Sequence, residues 1–193
     1  MKTIKNNVIN ETIINKSKFI CLLVKVDNIN EINKHINKIK NEYKDATHCC
    51  YAYILDNVKR FSDDGEPGGT AGMPILNVLE KNKLNHILAV VVRYFGGIKL
   101  GTGGLVRAYT NSVANNLNNT NIIELKKGYI IKLEFNYENN KLIDNYLKNV
   151  NITDKSFNET IVYNIKITDD EFNKIKDLLK NIADINIKKE ILI

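Results

Sequence analysis

The sequence predicts an α+β protein of two domains, and three observations carry that prediction. Charge divides unevenly: residues 1–121 hold 16 Lys+Arg against 10 Asp+Glu, a net of +6, whereas residues 122–193 hold 12 of each. Nine of the ten glycines, both prolines and all three arginines fall between residues 60 and 107. Strand-like and helix-like patterns alternate in both parts, and the polar tract 115–121 between them reads as a linker. The expected domains are therefore 1–121 and 122–193.

In the first domain, Val8–Ile14 and Phe19–Val26 read as strands broken by the polar turn 15–18. Ile29, Ile32, Ile36, Ile39 and Tyr43 recur at helical spacing and predict a helix over 28–44. Cys49–Leu55 alternates as a strand, 59–69 reads as a loop, and 70–81 as a helix that tolerates Pro74 in its first turn. The run ILAVVVRY (87–94) is apolar without a break and dense in valine, as a buried central strand should be. A glycine-rich loop (96–104) then leads into a helix over 104–117. The second domain reads strand 129–137, helix 140–150, strands 152–157 and 161–167, helix 169–182 and strand 185–193. That βαββαβ order is the ferredoxin-like arrangement.

Composition excludes several classes. With 44% hydrophobic and 26% charged residues the chain is ordinary globular protein, not disordered, collagen-like or coiled-coil. No run of 18 apolar residues occurs and residues 1–10 are polar, so neither a membrane span nor a secretory leader is expected, and the protein is placed in the cytoplasm. Cys21, Cys49 and Cys50 form no CxxC pair and have no histidines at zinc spacing, so no structural metal and no cofactor are expected. Asn, Ile and Lys make up 83 of the 193 residues. Residues escaping that bias stand out: Arg60, Arg93 and Arg107 occupy positions where lysine would have served solubility, which suggests that the planar guanidinium is wanted.

Two segments carry whatever chemistry there is. In Arg60–Gly72 (RFSDDGEPGGTAG), Asp63, Asp64 and Glu66 lie within four positions. They lack the ligand order of a calcium loop. A structural reading, with Ser62, Asp63 and Asp64 capping turns and Thr70 capping the next helix, outweighs acid–base catalysis. In Arg93–Arg107 (RYFGGIKLGTGGLVR), a strand runs through a glycine-rich loop into a helix, with Lys99 in the loop. Neither a Walker loop nor a dinucleotide fingerprint fits. Bare N–H groups near a helix start, with guanidiniums beside them, suit an anion. Arg93, Gly96, Gly97, Lys99, Gly101, Gly103, Gly104 and Arg107 are the expected phosphate contacts. His48, Arg60, Ser62, Asp63, Asp64, Glu66, Thr70 and Tyr94 are the expected cleft wall. Tyr94, Phe95 and Tyr109 offer planar faces for bases, though core packing is the preferred reading of aromatics beside an apolar strand. His35 and His86 read as surface residues. Cys50 shares a strand face with His48, but buried structural thiols are the preferred reading.

The motifs DATHCCYAY (45–53), FSDDGEPGGTAGMPIL (61–76) and AVVVRYFGGIKLGTGGLVRAY (89–109) closely resemble the IMPACT/YigZ family, densely over 17–117. Tyr51 stands where that family commonly has tryptophan, and Gly68 where it has serine; neither alters charge. Residues 129–193 match the family's bacterial C-terminal domain in length and element order. The resemblance implies an N-terminal β-α fold like that of a ribosomal-protein domain and of domain four of elongation factor G, with a C-terminal domain like domain five. Eukaryotic relatives are translation regulators that bind the activator of an initiation-factor kinase, through an architecture with a different additional domain. No catalytic activity comes with the family. The expected function is thus binding of RNA or the ribosome in translation or its regulation, with a protein partner in translation control as a further expectation. The alternatives are an enzyme acting on a phosphorylated small molecule or nucleic acid, centred on His48, Asp63, Asp64 and Glu66, or a protein-interaction adaptor.

Overall fold

A computed structural model describes residues Met1–Ile193, which divide into two units, Met1–Glu124 and Leu125–Ile193. The first runs β1 (Lys2–Ile4), β2 (Val8–Ile14), β3 (Ser17–Lys25), α1 (Ile29–Glu42), β4 (His48–Leu55), β5 (Val58–Ser62), α2 (Gly72–Lys81), β6 (Ile87–Tyr94), α3 (Gly101–Asn118) and β7 (Ile122–Glu124). Five of these strands form an antiparallel sheet in the order β2-β3-β6-β4-β5. The valine-rich β6 lies at its centre and is buried from Ile87 to Arg93, as a strand covered on both faces must be.

Each face of the sheet takes helices whose apolar spacing matches it. Asn28 caps α1 by accepting the Glu31 N–H (3.0 Å), and Ile32, Ile36 and Ile39 pack on Leu88, Val90 and Val92. Opposite, α2 and α3 bring Ile75, Leu79, Tyr109 and Val113 against Cys21, Cys50 and Val91. Alternation along β6 thus feeds two cores, one per face.

Three expectations need correction. The tract 115–121 is not a linker throughout: α3 continues to Asn118, and buried Asn116 donates to the Cys21 carbonyl at 2.8 Å. Residues 122–124 belong to the first unit because β7 pairs antiparallel with β1 (Lys2↔Glu124), so the boundary falls after Glu124 rather than after Asn121. Residues 58–62 are a strand on β4 and not part of a long loop.

The second unit runs β8 (Lys127–Phe135), a 3₁₀ turn (Tyr137–Asn139), α4 (Asn140–Tyr146), β9 (Asn151–Phe157), β10 (Ile161–Thr168), α5 (Asp169–Leu179) and β11 (Asp184–Leu192). Its antiparallel sheet has the order β11-β8-β10-β9. One face packs Ile131, Leu133, Ile165 and Ile167 on Ile143, Phe172 and Leu179 of the two helices. Thr168 and Glu171 cap α5 reciprocally, and three acidic residues occupy its first turn, complementing the helix dipole. No helix of the chain is long and apolar enough to cross a membrane.

Candidate functional site

The start of β4, the end of β6, the 63–71 loop and the start of α3 meet at one end of the five-stranded sheet. They enclose a cleft of about 450 Å³, with His48, Glu66 and Arg93 set among apolar Pro67, Leu100 and Leu105. Phe95, Lys99, Gly101 and Thr102 also border it.

Arg93 is not a free phosphate ligand. The β6 register sets it opposite Phe19 on one side and His48 on the other, inside the sheet. Only 5% of its surface is exposed. Its Nη1 donates to Glu66 Oε1 at 2.6 Å, and its guanidinium lies 5.5 Å from the Phe19 and Phe95 ring centroids. Glu66 Oε1 also accepts from the Tyr109 hydroxyl (2.8 Å), and the Cys50 thiol lies 3.4 Å from that hydroxyl while donating to the Asp63 carbonyl at 2.9 Å. Burial pushes the Tyr109 hydroxyl pKa far up, so it remains a neutral donor. Glu66 Oε2 makes no hydrogen bond and lies 3.7 Å from His48 Nε2. His48 Nδ1 lies 2.9 Å from the Asp64 carbonyl, which can only accept, so Nδ1 carries a proton, and in the neutral ring Nε2 turns its lone pair toward Glu66.

The two aspartates are consumed by structure. Asp63 Oδ1 accepts the Ala71 and Gly72 N–H groups (3.0 and 2.8 Å) and Oδ2 accepts that of Gly69 (2.9 Å), so Asp63 satisfies the start of α2. Thr70, expected to do this, instead donates to the Pro67 carbonyl (2.7 Å). Asp64 binds Lys40 Nζ and the Cys49 N–H, both at 2.7 Å. Partial burial alone would raise its carboxyl pKa; the lysine and the amide outweigh that and hold it below the ordinary range. Nowhere do three His, Cys, Asp or Glu side chains converge as a metal would require.

Of the expected phosphate contacts and wall, the cleft gathers Arg93, Lys99, Gly101, His48 and Glu66. Ser62, Asp63, Asp64 and Thr70 stand outside its lining. Arg60 is exposed on β5 opposite Tyr53, and Tyr94 donates to Asp45 (3.0 Å), both away from the cleft. Arg107 is exposed on α3 near Gly103. Gly101, Gly103 and Gly104 lie in the opening turns of α3 and not in a loop. Gly96 serves packing, because a Cβ there would overlap the Lys16 backbone, and Gly97 holds φ +81°. His86, read as a surface residue, is buried with Nε2 3.0 Å from Asp56. The sequence reading missed Pro67, Leu100 and Leu105 as cleft walls; only their position beside the glycines hinted at it.

What remains open in the cleft is positive at one end. Leu100 at the α3 cap offers no side-chain acceptor and the first turn has no acidic residue, so its N–H groups are unsatisfied beside exposed Lys99. The thiols, by contrast, are inert: burial pushes Cys50 and Cys21 up to about 12 and Cys49 to about 11. At about pH 8 the thiolate fraction is below about one in a thousand. A thiol reagent should therefore leave the native protein unlabelled and take up three equivalents only on denaturation, read by mass spectrometry.

The sequence profile of the Impact N-terminal domain matches residues 15–117. The chain is 45% identical to the IMPACT family member YvyE of Bacillus subtilis over 149 residues, covering 76% of this chain and 69% of that protein. It is 46% identical to the IMPACT family member YigZ of Escherichia coli over 105 residues, 52% of each. A crystal structure of a hypothetical protein superposes with a TM-score of 0.67 at 28% identity, covering 97% of both chains.

Proposed function

This chain belongs to the IMPACT family, and from that premise we propose that it binds RNA, free or within the ribosome, and acts in the cytoplasm in translation or its regulation. One observation carries the reading: the unsatisfied N–H groups of α3 and the exposed Lys99 form a positive mouth on the basic part of the chain. Such a mouth favours phosphate. The likeness to ribosomal-protein and elongation-factor domains that the motif resemblance implies supports it. A protein partner in translation control fits the same role. The enzymatic alternative is weakened, since Asp63 and Asp64 are held in structural hydrogen bonds and only His48 and Glu66 are left to it.

Lys99 and Arg107 are both exposed, so the variant Lys99→Ala/Arg107→Ala should fold normally. Its RNA affinity should fall, and the slope of log affinity against log salt should flatten by about one per lost phosphate contact. Filter binding at several salt concentrations measures both. A folded double variant with unchanged affinity and slope would rule this surface out.

A further inference from the structure

Phosphate binding at the mouth leaves the floor of the cleft without a role. There, Glu66 has a side chain only 3% exposed, with Oε1 filled by Arg93 and Tyr109 and Oε2 left without a donor. That oxygen opens onto the cleft, so a ligand seated there can supply the donor that the protein does not. His48 Nε2 sits 3.7 Å away and is a second acceptor in the neutral ring. A partner for this floor must present hydrogen-bond donors side by side.

We infer that the cleft takes a single nucleotide of the bound strand, base inward and phosphate at the mouth, with guanine preferred; this rests on the RNA reading above. Guanine alone among the four RNA bases has an imino N1–H and an amino N2–H₂ adjacent on its Watson–Crick edge. Uracil flanks its one N–H with two carbonyls that would face the carboxylate. Adenine and cytosine set their amino group beside an acceptor nitrogen. Recognition of unstacked bases on that edge is the usual route to sequence preference in single-stranded RNA. The walls suit a planar base: Pro67, Leu100 and Leu105 are apolar, and Phe95, 46% exposed, adds aromatic surface. The phosphate then meets Lys99 and the N–H groups of Gly101 and Thr102 at the opposite, positive end. About 450 Å³ is at the small end of ligand clefts, room for one nucleotide and not for a duplex.

The test uses the full chain with guanosine, inosine, adenosine, cytidine and uridine monophosphates by calorimetry, and with a uridine octamer with or without one central guanosine. Guanosine monophosphate should bind about tenfold or more tighter than the uridine form. Inosine monophosphate, which lacks the N2 amino group, should fall between them. Phe95→Ala, an exposed position, should weaken guanosine monophosphate several-fold without lowering the melting temperature. Glu66→Gln should abolish the preference. Should that variant fail to fold, the inosine comparison still reads the amino contact without any mutation. Equal affinity for all five monophosphates, or an unchanged Phe95→Ala, overturns the nucleotide site; if both octamers still bind, RNA binding itself survives. Guanosine monophosphate binding with no octamer binding keeps the nucleotide site and overturns the RNA reading.

Discussion

Arg93→Ala is expected to cost about 3–5 kcal/mol of folding stability, because it strands a buried carboxylate. Glu66 is 8% exposed overall and takes its one short ionic contact from Arg93. The Tyr109 hydroxyl alone cannot neutralise that charge. Urea denaturation should show a much lower midpoint with little change in slope. The companion variant Arg93→Met/Glu66→Leu removes both charges and should recover most of the loss, since apolar replacement of a buried pair is often neutral. An unchanged midpoint for Arg93→Ala would contradict the burial of the pair. The same reasoning makes Arg93→Ala unsuitable for testing phosphate contact, because any loss of RNA binding would follow from loss of the fold.

Gly96→Ala should be the most damaging glycine substitution at the end of β6. Its Cβ would overlap the carbonyl of Lys16 and the amide nitrogen of Ser17, which are backbone atoms of the β2–β3 turn. Neither can rotate away as a side chain can. Overpacking of this kind costs about 1–3 kcal/mol, and backbone against backbone belongs at the upper end. Gly97→Ala gives the contrast: nothing lies within 4 Å, and only the left-handed φ of +81° resists, so about 1 kcal/mol is expected. Thermal unfolding of both variants orders them. A Gly97 variant less stable than the Gly96 variant would mean that the turn and the loop do not touch.

What the sequence made legible was whatever repeats locally. The helix α1 follows from five apolar residues at helical spacing, and β6 from an unbroken apolar run. The short β1 and β7 went unseen because each is three residues long and its partner lies some 120 positions away. The strand β5 is exposed along almost its whole length, so it has no burial alternation to read. Asn116 looks like linker because its letter is polar, yet its amide is spent on a carbonyl 95 residues earlier. The site followed the same division. Lys99 and the opening of α3 were visible as a cation beside glycines. The partnership of Arg93 with Glu66, 27 residues apart, depends on the path of the 63–71 loop, and no local pattern encodes that path. The same holds for Asp63, which satisfies amides up to nine positions ahead.

The depth of the Arg93–Glu66 pair bears on how the protein can be prepared. Dissolved ions screen exposed charges over about 10 Å at 0.1 M and over about 3 Å at 1 M, but a pair with both side chains more than nine-tenths covered is screened far less. A concentrated salt wash therefore acts on Lys99 at the rim and leaves the floor assembled. Co-purifying polyanion can be stripped without unfolding, and the emptied protein should return to low salt with its cleft already formed.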